Sequence, residues 1–356
     1  MEKKGLITVI VPVHNAEPYL SRCLGSLRAQ IGRNIEFLII NNGSTDDSLC
    51  IMEQYAKTDT RFRVISQENR GVLGSRNRGL DEARGEYLGF VDADDFVEPD
   101  MYERLRRALN QTNSDMAVCD YTMTYTTHGT PSVMGYAPAV LDQDTVGMER
   151  LYLHYLGPNP VVWNKLYRRE LFEKEHLRFE VNIGEDVLLH LRMLPDIRRM
   201  VILDFTGYHY VQRKSSVMHS LHTSDYNGFS LLDYYFSQGC NLRGEGLLPY
   251  YFFSGMFTGF MFSSHCVGQS LPFFKQQVQL LKGIPFFREY CKKILTTEEL
   301  TALYVEGTIS IRFYAVQKML CRLCSKGQTG MAALFLWICS KLITVKKRML
   351  LQDLFD

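Results

Sequence analysis

The first 110 residues alternate between short apolar runs and helical patterns, and this alternation limits the possible folds more than any other feature. Such an order predicts an α/β fold, with an open, mostly parallel, Rossmann-like sheet and helices on both of its faces. The predicted strands are Leu6–Val13, Ile35–Ile40, Phe62–Ser66 and Tyr87–Val91, and the predicted helices cover about 17–30, a segment starting near 46, and 71–84.

Polar clusters follow three of these strands directly. They are His14-Asn15, Asn41-Asn42 and Asp92–Asp95. In open α/β sheets ligands bind outside the carboxyl ends of the strands. The sequence therefore predicts that three loops converge on one crevice.

The most informative short motif is Asp92-Ala93-Asp94, which follows the apolar run Tyr87–Val91. Two carboxylates at the end of a buried strand need a cation or strong donors to offset their charge. Carboxylate oxygens are hard ligands that suit Mg²⁺ or Mn²⁺ bridging to a diphosphate. A solvated acidic turn is the alternative interpretation.

Three further motifs carry polar groups suited to chemistry. Glu185-Asp186 precedes an apolar helical pattern, so one of its carboxylates could act as a general base; simple preference for negative charge at a helix start would give the same pattern. Trp163, beside Asn164 and Lys165, could form a platform for a sugar ring or could be a core residue. Arg76 and Arg78, in a predicted helix, suit a phosphate or a solvated helix face.

Together, in this order and spacing, these motifs resemble the bacterial family 2 glycosyltransferases of surface polysaccharide biosynthesis. The resemblance covers about residues 5–220 and implies a GT-A fold, with inverting transfer of a sugar from a nucleoside diphosphate to a hydroxyl of a glycan or lipid-linked acceptor. The matching segments are ITVIVPVHNAEPYLSRCLGSL, LIINNGSTDDS, NRGVLGSRNRGLDEARGEYLGFVDADD, VVWNKLYRRELF, IGEDVLLHLRML and YHYVQRKSSVMHS.

The resemblance also implies roles for individual residues. Asp186 becomes the catalytic base with Glu185 beside it, and Asp94 the ligand of Mn²⁺ or Mg²⁺, with His209 and His219 as further metal candidates. Trp163 and Asn164 become acceptor contacts. The residues implied to bind the donor nucleotide are Pro12, His14, Asn15, Asn42, Arg76, Asp92 and Ala93.

One pair departs from the family pattern, which usually has two aspartates before Gly-Ser. Here they are Asn41 and Asn42. An amide oxygen still accepts the imide N–H of uracil, so a UDP-sugar, hexosyl or N-acetylhexosaminyl, remains the expected donor. The amide also offers donors that a carboxylate lacks, which leaves the base less firmly defined.

The C-terminal third changes character, and we predict a glycosyltransferase domain at 1–220 followed by a mainly helical region at 221–356. No charged residue lies between Glu245 and Lys275. That stretch fits a packed helix, a membrane-surface contact or a span. The segment 331–351 joins an apolar run to Lys346-Lys347-Arg348, as in an interfacial anchor, or in a buried helix with a solvated basic end.

Composition excludes some classes of protein and leaves others open. A net charge of +1 argues against broad nucleic-acid binding. The nine scattered cysteines fit reduced thiols, so the expected location is the cytoplasm, with a peripheral position on the inner face of the membrane as an open alternative. The apolar run at Leu6–Val13 fits a strand better than a signal peptide. The alternatives to a glycosyltransferase are a nucleotidyltransferase and a non-catalytic sugar-nucleotide-binding partner in a polysaccharide assembly complex.

Overall fold

The computed structural model describes residues 3–125, 132–133, 137–147, 151, 160–180, 185–212, 269–283, 285–296 and 311–339. The chain divides into two compact units, one of residues 1–151 with 159–214 and the other of residues 152–158 with 215–356. The predicted boundary at 220 lies outside the described residues and stays a prediction.

The first unit is built on a ten-stranded sheet. Its strands are β1 Lys3–Val13, β2 Ile35–Asn42, β3 Phe62–Gln67, β4 Gly85–Phe90, β5 Phe96–Val97, β6 Met116–Tyr125, β7 Ser132–Val133, β8 Ala139–Asp142, β9 Lys165–Arg168 and β10 Arg199–Gln212.

The order of the sheet is β3-β2-β1-β4-β9-β6-β10-β5, with β7 beside β6 and β8 beside β10. Strands β3, β2, β1 and β4 are mutually parallel, as predicted from the strand–helix alternation. Strand β9 runs antiparallel to both of its neighbours, whereas β6 and β10 are parallel. The result is a mixed sheet in which the carboxyl ends of β2, β1 and β4 lie side by side.

Helices flank the strands in the first unit and dominate the described part of the second. They are α1 Glu17–Arg28, α2 Ser48–Thr58, α3 Gly71–Glu82, α4 Met101–Thr112, α5 Gln143–Val146, α6 Glu170–Glu173, α7 Glu185–Met193, α8 Leu271–Gly283, α9 Pro285–Thr296 and α10 Ile311–Ser325, and residues 329–339 are also helical. The sequence predicts a helix over about 144–155. Helix α5 covers its start and ends at Val146, where Gly147 adopts a φ of 81°; Leu151 is helical, and the rest of 148–155 lies outside the described residues.

Helix α3 lies unusually close to the sheet. A β-carbon on Gly79 would collide with the side chain of Ile10 in the middle of β1. The glycine therefore lets the helix backbone approach the strand directly. This close packing sets the position of Arg76, which lies one turn earlier on the same helix.

In the second unit, the described residues form the helices that the sequence predicts. Cys321 and Cys324 are three residues apart in the sequence, a spacing that predicts one face of a helix, and both lie on α10. None of the helices within the described ranges is long and apolar enough to cross a membrane. Most of the uncharged stretch, residues 246–268, and the basic end at 340–351 lie outside the described residues.

Candidate active site

The loops after β1 and β2 meet at the carboxyl edge of the sheet. Asn15 has a left-handed backbone with φ 48°, a conformation that asparagine tolerates better than most residues. Its Oδ1 accepts a hydrogen bond from the Thr45 amide at 2.8 Å, and its own amide donates to Ser44 Oγ at 3.2 Å. Pro12, which pairs with Ile40 in the parallel ladder, is half-buried just before this loop. The predicted convergence of these two loops is present.

His14 and Asn42 are linked through Asn69, which the sequence reasoning missed. The exposed His14 lies with its Nε2 3.2 Å from Asn69 Nδ2, and Asn42 Nδ2 donates to Asn69 Oδ1 at 3.0 Å. Asn42 also donates to the Gly71 carbonyl and accepts at Oδ1 from the Arg70 amide and Gln67 Nε2. The side-chain amide of Asn42 thus donates two hydrogen bonds through Nδ2 and accepts two through Oδ1. In this structure it orders the loop between β3 and α3.

The third loop, Asp92–Asp95, is fixed to β10 by one tyrosine. The Tyr208 hydroxyl donates to Asp95 Oδ2 at 2.7 Å and accepts from the Asp92 amide at 3.2 Å. Asp95 Oδ1 accepts from the Val211 amide at 2.8 Å. Burial, reinforced by the charge of Asp92, raises the pKa of this carboxyl. Ala93 is buried, and its neighbours Asp92 and Asp94 are half-buried.

Arg76 joins the third loop to the start of α7. One guanidinium nitrogen, Nη2, lies 3.1 Å from Asp92 Oδ1, and the other, Nη1, lies 2.9 Å from Glu185 Oε1 and 3.3 Å from Asp186 Oδ1. The Arg76 side chain is only 5% exposed, and its guanidinium lies over the Phe179 ring at 5.2 Å. Burial alone would lower the pKa of Arg76, but the three carboxylates raise it, so the residue is cationic.

This arrangement brings together residues that are far apart in the sequence. The structure gathers Arg76, Asp92, Glu185 and Asp186 into a single charged cluster. The described ion pairs of the Arg76 guanidinium are with these protein carboxylates, and its predicted role facing the donor stays a prediction.

Asp186 has two anchors and a perturbed acidity. Its Oδ1 faces Arg76, and its Oδ2 accepts a hydrogen bond from the Val162 amide at 3.2 Å. Burial is the largest influence on the pKa of Asp186 and raises it. The positive charge of Arg76 lowers this pKa, whereas the negative charges of Glu185 and Asp92 raise it further. A carboxylate that holds a proton more readily than usual is a suitable proton acceptor near neutral pH.

Strand β9 holds the helix that carries Asp186. The Tyr167 hydroxyl lies 2.8 Å from His190 Nε2, and His190 Nδ1 lies 2.7 Å from the Asp186 carbonyl oxygen. Burial lowers the pKa of His190 to about 3, so the ring is neutral. Because a carbonyl only accepts, Nδ1 carries the ring proton and Nε2 accepts from Tyr167.

Trp163 and Asn164 do not match their predicted contact with an acceptor. Trp163 is 5% exposed and stacks on Tyr208 at 4.2 Å, which places it beneath the tyrosine that fixes the third loop. Asn164 is fully buried and donates to the Cys119 carbonyl at 2.6 Å. A sugar platform needs an open ring face, so this prediction is corrected to a supporting role in the core.

The predicted metal ligands are only partly gathered. Asp94 is half-buried in the third loop, and its carbonyl accepts from Arg22 at 2.9 Å. His209 instead pairs with Glu98 at 2.7 Å and stacks on Phe96, and His219 lies outside the described residues. Within the described ranges, no group of three or more His, Cys, Asp or Glu side chains could hold a metal.

Sequence reasoning missed several residues that build the site. Asn77 exchanges two hydrogen bonds with the Phe179 backbone, at 2.8 and 2.9 Å, and so ties α3 to the chain that leads towards α7. Tyr208 and His190 act through contacts with other segments, Tyr208 with Asp95 and His190 with Tyr167. Lys165 does stand out in the sequence, as a basic residue beside Trp163, and its i, i+2 spacing to Tyr167 puts both on one face of a strand.

Comparison with known proteins agrees with this architecture. A family model described as glycosyl transferase family 2 matches residues 8–175. EpsJ of Bacillus subtilis, an uncharacterized glycosyltransferase, is 36% identical over 217 residues, which cover 60% of this chain and 62% of EpsJ. The glycosyltransferase GlyA of Streptococcus pneumoniae is 36% identical over 219 residues, covering 59% of this chain and 31% of GlyA.

A solved structure shares the fold. The crystal structure of Staphylococcus aureus TarS residues 1–349, in complex with UDP-GlcNAc, superposes with a TM-score of 0.68 at 21% identity, covering 89% of this chain and 91% of TarS. The GT-A fold class expected from the sequence is thereby confirmed. The chain matches less than two thirds of the length of the curated relatives EpsJ and GlyA. Residues 8–175 of this chain are therefore similar to glycosyl transferase family 2.

Proposed function

We propose that the chain is an inverting glycosyltransferase that moves a sugar from a nucleoside diphosphate, most simply UDP, to a hydroxyl of a glycan or lipid-linked acceptor. One observation carries the proposal: Arg76 binds Asp92, Glu185 and Asp186 within the first unit, so two acidic motifs from distant segments share one site. The match of residues 8–175 to the family model supports it, as does the likeness to TarS, whose crystal structure holds UDP-GlcNAc.

In the proposed mechanism, Asp186 is the base. Its carboxylate accepts the proton of the acceptor hydroxyl as that oxygen attacks the anomeric carbon of the donor. The bond from the anomeric carbon to the phosphate oxygen breaks, and the nucleoside diphosphate leaves with the bonding electrons. Attack opposite the leaving group inverts the anomeric configuration. The raised pKa of Asp186 suits it to hold the transferred proton.

Arg76 and Glu185 serve this base indirectly. The guanidinium draws Asp186 and Asp92 towards each other and offsets part of their charge. Glu185 pairs with Arg76 Nη1, the same nitrogen that faces Asp186, and so fixes the first turn of α7. The donor nucleotide would lie over the loops that contain His14, Asn15 and the Asn42 network.

The residues of the third loop fit a divalent cation. Mg²⁺ and Mn²⁺ are commonly held by one or two carboxylates together with substrate phosphates, so a site with three or more protein ligands is not required. Asp94, half-buried beside the fixed Asp92, would hold the ion. When bound, such an ion offsets the charge that develops on the diphosphate.

Donor, acceptor and location are part of the same proposal. The proposed donor is hexosyl or N-acetylhexosaminyl, and the proposed acceptor belongs to cell-envelope polysaccharide synthesis; the UDP-GlcNAc bound in the TarS structure supports a donor of this kind. Seven cysteines of the described residues are free, which fits a cytoplasmic location, with contact to the inner face of the membrane.

The test is release of UDP from a panel of UDP-sugars, measured with Mn²⁺ or Mg²⁺ and again with EDTA. We expect release with at least one donor, its stimulation by a crude lipid-linked glycan fraction, and its loss in EDTA. Pyrophosphate formation from UTP and a sugar phosphate would instead indicate nucleotidyl transfer. Tight UDP-sugar binding without turnover would indicate a non-catalytic partner.

A further inference from the structure

A single peptide group connects a buried lysine to the side chain of Asp186. Lys165 Nζ donates a hydrogen bond to the Val161 carbonyl at 2.6 Å. The amide on the other side of that same peptide, the N–H of Val162, donates to Asp186 Oδ2 at 3.2 Å. The lysine ammonium and the aspartate carboxylate therefore lie at opposite ends of one peptide dipole.

Such an arrangement couples the two charges. A cation on a carbonyl oxygen polarises the peptide and makes its N–H a stronger donor, and this effect is larger where water is excluded. Lys165 is 1% exposed, and Val162 is fully buried. The lysine is held in direction by a second hydrogen bond, to Asn164 Oδ1 at 2.9 Å.

We propose that Lys165 is a positioning residue for the reaction: through the Val161–Val162 peptide it orients the Asp186 carboxylate and favours its ionised form. The inference rests on the proposed role of Asp186 as the base, and Lys165 itself touches no substrate. Its neighbour on the same face of β9, Tyr167, reaches α7 by the separate route through His190 to the Asp186 carbonyl. Strand β9 thus supports both the backbone and the side chain of Asp186.

The charged and titratable groups around the pair come from several elements. Asp186 faces Arg76 of α3, Asp92 after β4, Glu185 of its own helix, and Lys165 and Tyr167 of β9. Lys165 also faces Cys119 of β6 and the neutral His190 of α7. Burial lowers the pKa of Lys165 to about 7, and the charge of Asp186 opposes that change, so each group stabilises the charged form of the other.

The experiment measures the ionisation of Asp186 directly, without a substrate. The full chain is labelled with [4-¹³C]aspartate, and the carboxyl resonance that is missing from Asp186→Asn is followed by NMR from pH 4 to 9. In Lys165→Met we expect its midpoint to rise by about half a unit or more, because a favourable cation has been removed. An unchanged or lower midpoint in folded Lys165→Met overturns the proposal.

Two measurements guard against a merely structural effect. The matched control is Arg168→Met, which removes a cation from the same strand. Arg168 Nε donates to the Ser114 carbonyl, and the guanidinium pairs with Glu86, so the midpoint of the Asp186 titration should not move in this variant. If Lys165→Met does not fold, Lys165→Gln takes its place. In the unmutated chain, the chemical shift of the Val162 amide proton should move downfield as Asp186 ionises, with the same midpoint. A Val162 amide shift that does not change with this ionisation overturns the proposal on its own.

The kinetic readout separates this inference from the proposed function. With an active UDP-sugar, we expect Lys165→Met to lower kcat about tenfold while KM for the donor stays within twofold, and to shift the acidic limb of the pH profile upwards. If the unmutated chain transfers no sugar, the proposed function fails, but the NMR result still decides whether Lys165 acts on Asp186. If the chain is active and Lys165→Met matches it at every pH, the inference alone fails.

Discussion

Arg76 carries one positive charge among three carboxylates, and its guanidinium is almost completely buried. The carboxylates of Asp92, Glu185 and Asp186 come from two segments that are about ninety residues apart along the chain. Their mutual repulsion would favour separation of α7 from the third loop if the guanidinium were absent. At the scale of single residues, the site is therefore held together by charge compensation.

Replacing this residue tests that compensation. Arg76→Met should lower the free energy of unfolding by about 3 kcal/mol, because it leaves partly buried carboxylates without their cation. Urea unfolding at pH 7 measures the loss, and the loss should shrink as the pH falls and the carboxylates become protonated. Arg78→Met is the control, since Arg78 is 48% exposed and pairs with Glu82 on its own helix, a pair worth less than about 1 kcal/mol. Equal losses in the two variants would contradict the role of Arg76.

The proposed base makes a second prediction at this scale. Asp186→Asn keeps a side chain of the same shape that can still accept from the Val162 amide, but it takes no proton near neutral pH. We expect sugar transfer to fall by at least about 100-fold, while the Kd for UDP changes by less than about threefold. Steady-state kinetics and calorimetric titration with UDP measure the two quantities. Near-normal turnover in the variant would remove Asp186 from the role.

How far the sequence predicts the site differs from residue to residue. Asp92 and Glu185-Asp186 were found because each follows or precedes a regular element and carries charge that burial would not tolerate alone. Asn42 was expected at the nucleobase, yet its amide is bound to Asn69, Gly71, Gln67 and Arg70. Those partners lie 25 to 29 residues away, in a loop whose shape no local pattern specifies.

At the scale of elements, α7 and β9 form one support for the base. The neutral His190 accepts from Tyr167 and donates to the Asp186 carbonyl, which fixes the first turn of α7 against the strand. Neither contact could be read from the sequence. Strand β9 has only four residues and runs antiparallel between β4 and β6, whereas strand–helix alternation predicts parallel neighbours.

This support makes folding stability sensitive to acid. Burial lowers the pKa of His190 to about 3, against 6.5 for the free side chain, so between these values the unfolded chain binds a proton that the folded chain does not. Stability should therefore rise with pH across this window and be fully present above about 6.5, contributing up to about 1.4 kcal/mol per pH unit to the slope. In His190→Gln, urea unfolding from pH 4 to 7 should give a correspondingly shallower slope.

The control for that measurement is the exposed His176, which lies between α6 and α7. His176→Gln removes an imidazole that is open to water, so the slope of stability against pH should match that of the unmutated chain. An unchanged slope in His190→Gln would show that the ring is not held neutral by its surroundings. The hydrogen bonds assigned to its two nitrogens would then need to be revised.

At the scale of the whole molecule, a net charge of +1 conceals an uneven distribution. Acidic residues gather at Asp92–Asp95 and Glu185-Asp186, the stretch between Glu245 and Lys275 carries no charged residue, and Lys346-Lys347-Arg348 lies near the end of the sequence. The first unit follows the fold expected from its strand–helix alternation. The C-terminal region has no comparable alternation. Its sequence predicts helices but not how they pack, because apolar periodicity identifies a helix without identifying the element that it packs against.

The basic segment predicts binding to an anionic membrane surface. A nearly neutral molecule gains little from long-range attraction, so Lys346, Lys347 and Arg348 would supply the electrostatic part, at about 1 kcal/mol each. The full chain should float with phosphatidylserine-containing liposomes and not with pure phosphatidylcholine. Neutralising the three residues should weaken binding by about 100-fold, and so should high salt, because screening acts on exposed charges. A matched variant that neutralises the exposed Arg33, Lys57 and Arg107 of the first unit changes the net charge equally and should still float. Equal losses in the two variants would mean that total charge, and not this segment, governs binding.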